Sequence, residues 1–170
     1  ESPPRRSVLF VWHGGEEEGL LGSAHFTTNS PMPMDSIYAQ INADMIGRNN
    51  PDSLHIVGPS AAPNGQSQVL GAIIDSVNAT STRPFVFDRA FDSPTHPEQI
   101  YFRSDHYNYA RRGVPVVFVT TGLHEDYHKV SDEADKIDYA KLARVANLMY
   151  RTGEAVSRRP SRPLPPPPTP

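Results

Sequence analysis

Pro115–Thr120 reads PVVFVT, a short apolar run dominated by β-branched and aromatic residues. Such a run, too short for a helix of ordinary length, predicts a buried β-strand. Similar runs lie on either side of it. Ser7–Trp12 (SVLFVW) predicts a buried strand, Ile37–Met45 (IYAQINADM) a second, Leu54–Val57 a short third, and Phe85–Phe87 another. Between them the apolar period changes to that of a helix. Gln66–Ala79 places Val69, Leu70, Ile73, Ile74 and Val77 on one stripe, and Tyr139–Val156 places Leu142, Val145, Ala146 and Met149 on another. Gly19–Thr28 carries the i,i+4 pairs Leu20/Ala24 and Leu21/His25, and Pro31 and Pro33 end it. Strands alternating with helices predict an α/β fold, a three-layer sandwich whose mostly parallel mixed sheet is covered by helices on both faces.

The 170 residues hold 16 Lys plus Arg against 19 Asp plus Glu, a formal charge of −3. A nucleic-acid binder would be clearly basic, so that class is disfavoured. No apolar run approaches the ~20 residues of a membrane-spanning helix. The chain has no Cys, which removes disulfides, thiolate catalysis and Cys-ligated zinc. Seven of the 18 Pro fall between Arg158 and Pro170, a stretch that favours extended polyproline II and cannot bury a core. The expected organisation is therefore a folded unit over residues 1–157 and a flexible Pro-rich tail over 158–170.

In open α/β sheets ligands bind beyond the carboxyl ends of the strands. The segments beyond the predicted strands are rich in ligand chemistry. Ser7–Trp12 leads into His13-Gly14-Gly15-Glu16-Glu17-Glu18-Gly19, the second strand ends in Asn42-Ala43-Asp44, and Pro115–Thr120 runs into His124-Glu125-Asp126-Tyr127-His128. Parallel strands would deliver these carboxylates and imidazoles to one edge. Carboxylate oxygen and His nitrogen are the zinc donors open to a chain without Cys.

Four ordered strings carry a resemblance. They are GGEEEGLLGS (Gly14–Ser23), INADMIGR (Ile41–Arg48), RSDHYNYARRGVPVVF (Arg103–Phe118) and TTGLHEDYHKVSDEADKID (Thr120–Asp138). Together they resemble the di-zinc aminopeptidases of the aminopeptidase Y type, to which glutaminyl cyclases and the transferrin-receptor ectodomain are related. The resemblance implies a metal-dependent exopeptidase that removes N-terminal residues from peptides with a free N-terminus. It implies Glu16 as general base, Glu17 as ligand of one zinc, Asp44 as ligand of the other, and His128 as a further ligand. Tyr127 would stabilise the tetrahedral intermediate, Arg103 would contact substrate, and Asp105 and His106 would organise the surrounding loop. Two zinc ions ~3.5–4 Å apart would acidify the attacking water and hold the peptide carbonyl.

The family's His-x-Asp motif and bridging Asp lie upstream of the Glu-Glu pair, and nothing before Ser7 matches them. The resemblance therefore implies the C-terminal two-thirds of a catalytic domain, without the first strands of its sheet. It implies one bound zinc or none, low activity in isolation, and a missing N-terminal segment or second chain. A peptidase-like scaffold without catalysis and a single-zinc glutaminyl cyclase are the alternatives. Relatives of this type are often exported, so a secreted or periplasmic location is expected. Among the remaining His residues, His13 is expected to pack or to support a ligand rather than bind metal, and His55 and His96 show no partner pattern. Asp88, Asp92 and Glu98 sit in a Pro-rich loop, Pro84–Gln99, that is expected to be solvated or to line a site.

Overall fold

The computed structural model describes residues 3–165. Among these, four strands, β1 (Gln40–Ala43), β2 (Ser53–Val57), β3 (Val86–Asp88) and β4 (Val116–Thr120), form one sheet in the order β1-β4-β2-β3. β1 runs parallel to β4, with Gln40 opposite Val116 and Ala43 opposite Val119. β2 runs antiparallel to β4 and parallel to β3, so the sheet is mixed. The same residues form the helices α1 (Leu21–Thr28), α2 (Gln68–Ala79), α3 (His106–Ala110) and α4 (Tyr139–Ser157).

Every residue of β4 is buried, because helices cover both faces of the strand. Val117 and Val119 point into one core with Leu54, Ile56, Leu70, Ile74 and Val145, which joins β2 to α2 and α4. Val116 and Phe118 point the other way, into a second core with Val57, Tyr101, Tyr109 and Val114, flanked by Phe26 of α1. The period of two along the strand thus divides one run of valines between two hydrophobic layers. The expected α/β sandwich with helices on both faces is what the chain forms.

His106 lies wholly inside the second layer, its ring stacked on Phe118 at 4.8 Å between centroids. Burial pushes its pKa down to about 3. In an unfolded chain the imidazole protonates near 6.5, so the folded state loses ground as pH falls from about 6.5 towards 3. Between pH 7 and pH 5 this group alone removes about 2 kcal/mol of stability. Urea unfolding at both pH values, with His106→Phe as reference, checks this. Equal pH dependence in the two proteins would count against it.

Three sequence expectations need correction. Ser7–Trp12 is not a strand: its residues pair with no ladder among the described residues, and Phe10 and Trp12 are 74% and 87% exposed. Residue type alone makes a segment capable of pairing; a neighbouring strand is what makes it a strand. The first helix begins at Leu21 rather than Gly19, because Leu20 takes a left-handed conformation (φ 61°), and its buried side chains are Ser23 and Thr27. In α4 Ala146 is exposed and Lys141 is fully buried. The Lys141 ammonium donates to the carbonyls of Arg48 (2.6 Å) and Asn50 (2.7 Å), which satisfies a charge that could not otherwise lie inside.

The start of the expected tail lies against the body. Arg6 donates to the carbonyls of Arg159 and Pro160 and stacks its guanidinium over Tyr38, Arg162 donates to Ile37, and Pro163 is buried. The last five residues of that tail lie outside the described residues. No helix among the described residues is long and apolar enough to cross a membrane.

Candidate active site

The Glu run folds as a turn ahead of α1. The Glu16 carbonyl accepts the amides of Gly19 (3.0 Å) and Leu20 (2.8 Å), which folds the chain back so that the carboxylates stand at the sheet edge. Gly19 takes φ +101°, a conformation closed to most residues. Gly22 lies against the Gly14 backbone, where a Cβ would come within 2.5 Å of the carbonyl oxygen. Ser23 then ties α1 to α3, because Asn108 Nδ2 donates to its hydroxyl at 2.9 Å. The glycine and serine positions of the motif thus have mechanical roles.

Asp44 follows β1 directly. A relay of hydrogen bonds holds it: Gln40 Nε2 donates to Asn42, Asn42 Nδ2 donates to Ser104 Oγ, and Ser104 Oγ donates to Asp44 Oδ2 at 2.8 Å. The next residue, Met45, is left-handed (φ 52°), and its carbonyl accepts both the amide (2.8 Å) and the hydroxyl (2.7 Å) of Thr121. Since β1 and β4 are parallel, the segments after them leave the same edge, and Thr121 fastens one to the other. The β4 segment carries Tyr127 and His128, the latter also left-handed at φ 57°.

These segments meet at one pocket. Glu16, Glu17 and Asp44 line its acidic side, Tyr127 and Arg103 stand at its polar rim, and Phe91, Ile100 and Phe118 are among its apolar lining. His128 Nε2 lies 3.0 Å from Glu17 Oε1. Arg103 donates to the Tyr127 phenol oxygen at 2.9 Å and pairs with Glu98. The carboxylates disfavour one another's ionisation. Glu16 is pushed up to about 7, first by burial and then by the charges of Asp44, Glu17 and Asp105, against a smaller lowering from His128. Asp44 is raised chiefly by burial, and the Ser104 hydrogen bond opposes the shift.

Carboxylate and imidazole are zinc-type donors, and the Glu17–His128 separation suits two donors on one ion. The set is not complete. Among the described residues no three His, Asp or Glu side chains stand close enough together to hold an ion, and Asp44 is turned to Ser104. Glu17 and Asp44 thus line one pocket, with His128 against Glu17, but the three do not form one cage.

Several neighbours were not readable as partners from the sequence. His55 stacks on Phe91 at 4.4 Å, and His96 meets the same ring edge-on at 5.0 Å, so both expected loners support the pocket wall. Asp92 is buried rather than solvated and accepts the amides of Gly58, Ser60 and Ala61. His13 packs against Phe26 and Tyr109, with its Nε2 3.1 Å from the Tyr109 hydroxyl. Arg48 joins Asp126 and Asp132.

The profile of Peptidase family M28 matches residues 1–152. The chain belongs to that family. A probable leucine aminopeptidase 1 of Trichophyton verrucosum is 29% identical over 150 residues, which cover 84% of this chain and 38% of that protein. Leucine aminopeptidase 1 of Penicillium rubens is 30% identical over 139 residues, covering 79% and 34%. The fold is similar to that of the aminopeptidase from Aneurinibacillus sp. strain AM-1, with a TM-score of 0.67 at 20% identity over 91% of this chain and 34% of that one. A zinc aminopeptidase from Bacillus subtilis gives a TM-score of 0.66 at 18% identity, covering 86% and 35%. This M28 chain therefore spans little more than a third of the length of these relatives.

Proposed function

We propose that this chain forms the site-bearing part of a zinc-dependent aminopeptidase. The observation that carries the reading is the convergence of Glu16, Glu17, Asp44 and Tyr127 on one pocket, with His128 against Glu17. Glu17 and His128 are the pair proposed to share an ion, and Asp44 is proposed to serve a second one. Zinc, when bound, supplies a water acidified enough to attack at neutral pH. Glu16, poised near neutrality beside that pair, takes up a proton from the attacking water and returns it to the leaving amine. The guanidinium of Arg103 can only donate, so it occupies an acceptor position of the Tyr127 oxygen and leaves the phenol proton free. That proton is aimed at the oxyanion of the tetrahedral intermediate. Arg103 is also placed to touch the substrate at the pocket rim.

The two sides of the pocket define the substrate. A free, positively charged N-terminus suits the acidic side, and an apolar first side chain suits the side built from Phe91, Ile100 and Phe118. An exported location forms part of the same proposal. Hydrolysis of a leucyl anilide, of its N-acetylated form and of a peptide with N-terminal Gln tests the reading in the protein that carries this chain. Release of the amine from the free leucyl substrate alone is the expected result. Cleavage of the acetylated compound at an equal rate, or cyclisation of Gln in place of hydrolysis, would overturn it.

A further inference from the structure

Arg48 lies four residues beyond Asp44 and has no part in the proposed hydrolysis. Its side chain is 13% exposed, and it donates through one terminal nitrogen to Asp126 and through the other to Asp132. These two carboxylates bracket His128 in the chain. Asp126 is only 8% exposed and is further held by Ser131 Oγ and Lys136 Nζ, each at 2.7 Å. Arg48 itself is anchored from behind, since its carbonyl and that of Asn50 accept the buried Lys141 ammonium. Next to it, Asn49 Nδ2 donates to the carbonyls of Thr121 and Leu123, each at 2.9 Å. Met45, Arg48 and Asn49 thus each bond the segment after β1 to the segment after β4.

Between its two bracketing carboxylates the β4 segment holds His128 in a left-handed conformation (φ 57°) that is uncommon for a non-Gly residue. We infer that Arg48 is the positioning residue that imposes it: by bridging Asp126 and Asp132 it holds His128 against Glu17 and Tyr127 at the pocket rim. The inference rests on the reading of Tyr127 and His128 as working residues. One short motif, Asp44 to Arg48, then carries both a carboxylate of the site and the cation that presents the imidazole. A planar guanidinium spans two carboxylates at once, which a lysine ammonium on a flexible stem does less well.

Amide hydrogen exchange and His ring resonances of the whole chain test this with Arg48→Met and Arg48→Lys. Arg48→Met is expected to speed exchange of the amides of residues 124–132 by about tenfold or more, while β4 and α4 stay within about threefold of wild type. The His128 ring resonances are expected to move to the positions they take in Glu17→Ala, where the contact is removed directly. Arg48→Lys should lie between. Should Arg48→Met fail to fold, Asp132→Ala removes the more exposed arm of the bridge, together with the Asp132–His124 pair, and is expected to give the same local pattern at smaller size. Unchanged exchange in 124–132, an equal rise throughout the chain, or unmoved His128 resonances would each overturn the inference. If Tyr127→Phe and His128→Ala leave hydrolysis untouched while the Arg48 result holds, the peptidase reading of the segment fails and the positioning role stands.

Discussion

Glu16→Gln is expected to lower kcat for a leucyl anilide by about 10²–10⁴-fold in the protein that carries this chain, the range for loss of a positioned general base. The substitution keeps size and shape, so the turn that the Glu16 carbonyl organises is left in place. It removes the role proposed for the carboxylate, which is to hold a proton between the attacking water and the leaving amine. KM stays within about threefold, because an interaction made only in the transition state shows in kcat. The neighbouring Glu17→Ala separates the two roles, since it removes the contact with His128 and is expected to lower zinc affinity as well as rate. A Glu16→Gln protein with near wild-type kcat would move the base to another carboxylate of the pocket.

Asp92→Ala costs about 3–5 kcal/mol of folding stability, comparable to breaking a buried ion pair from one side. The carboxylate accepts three backbone amides, Gly58 at 2.8 Å, Ser60 at 2.9 Å and Ala61 at 3.0 Å. All three donors follow the end of β2, and the alanine would strand the buried amides of Gly58 and Ala61 away from water. Asp92→Asn is expected to cost less, because one carbonyl oxygen still accepts. Denaturant unfolding of both variants gives the measurement. A loss below about 1 kcal/mol for Asp92→Ala would show that water replaces the carboxylate at this turn. Phe91 precedes Asp92 and lines the pocket, so the same variant is expected to disturb substrate binding.

Legibility of the sequence tracks the range of the forces involved. β4, α2 and α4 are readable because period and residue type are local, and their buried faces need only the sheet they pack on. Glu16, Glu17, Asp44, Tyr127 and His128 are readable as candidates because each sits just beyond an element or a predicted one, and motif order supplies their roles. Ser7–Trp12 has the same residue types as β4 but lacks a ladder partner among the described residues, and no local pattern encodes a partner. The close approach that Gly22 and Ser23 permit in α1 is set by distant neighbours, so no local pattern shows it. Lys141, Asp92 and Arg48 escape a local reading for one reason. Each is a polar side chain satisfied by groups far along the chain, 93 positions away for Lys141 and the Arg48 carbonyl, 34 for Asp92 and Gly58, and 78 for Arg48 and Asp126.

Zinc bound per chain, measured after stripping and reconstitution in wild type, Glu17→Ala and His128→Ala, tests whether these two side chains hold the ion. Zinc on the wild-type chain and its loss from both variants are expected, because Glu17 and His128 are the side chains proposed to share the ion. A wild-type chain that takes up no zinc, or variants that retain it at the wild-type level, would contradict the assignment of Glu17 and His128 as its ligands.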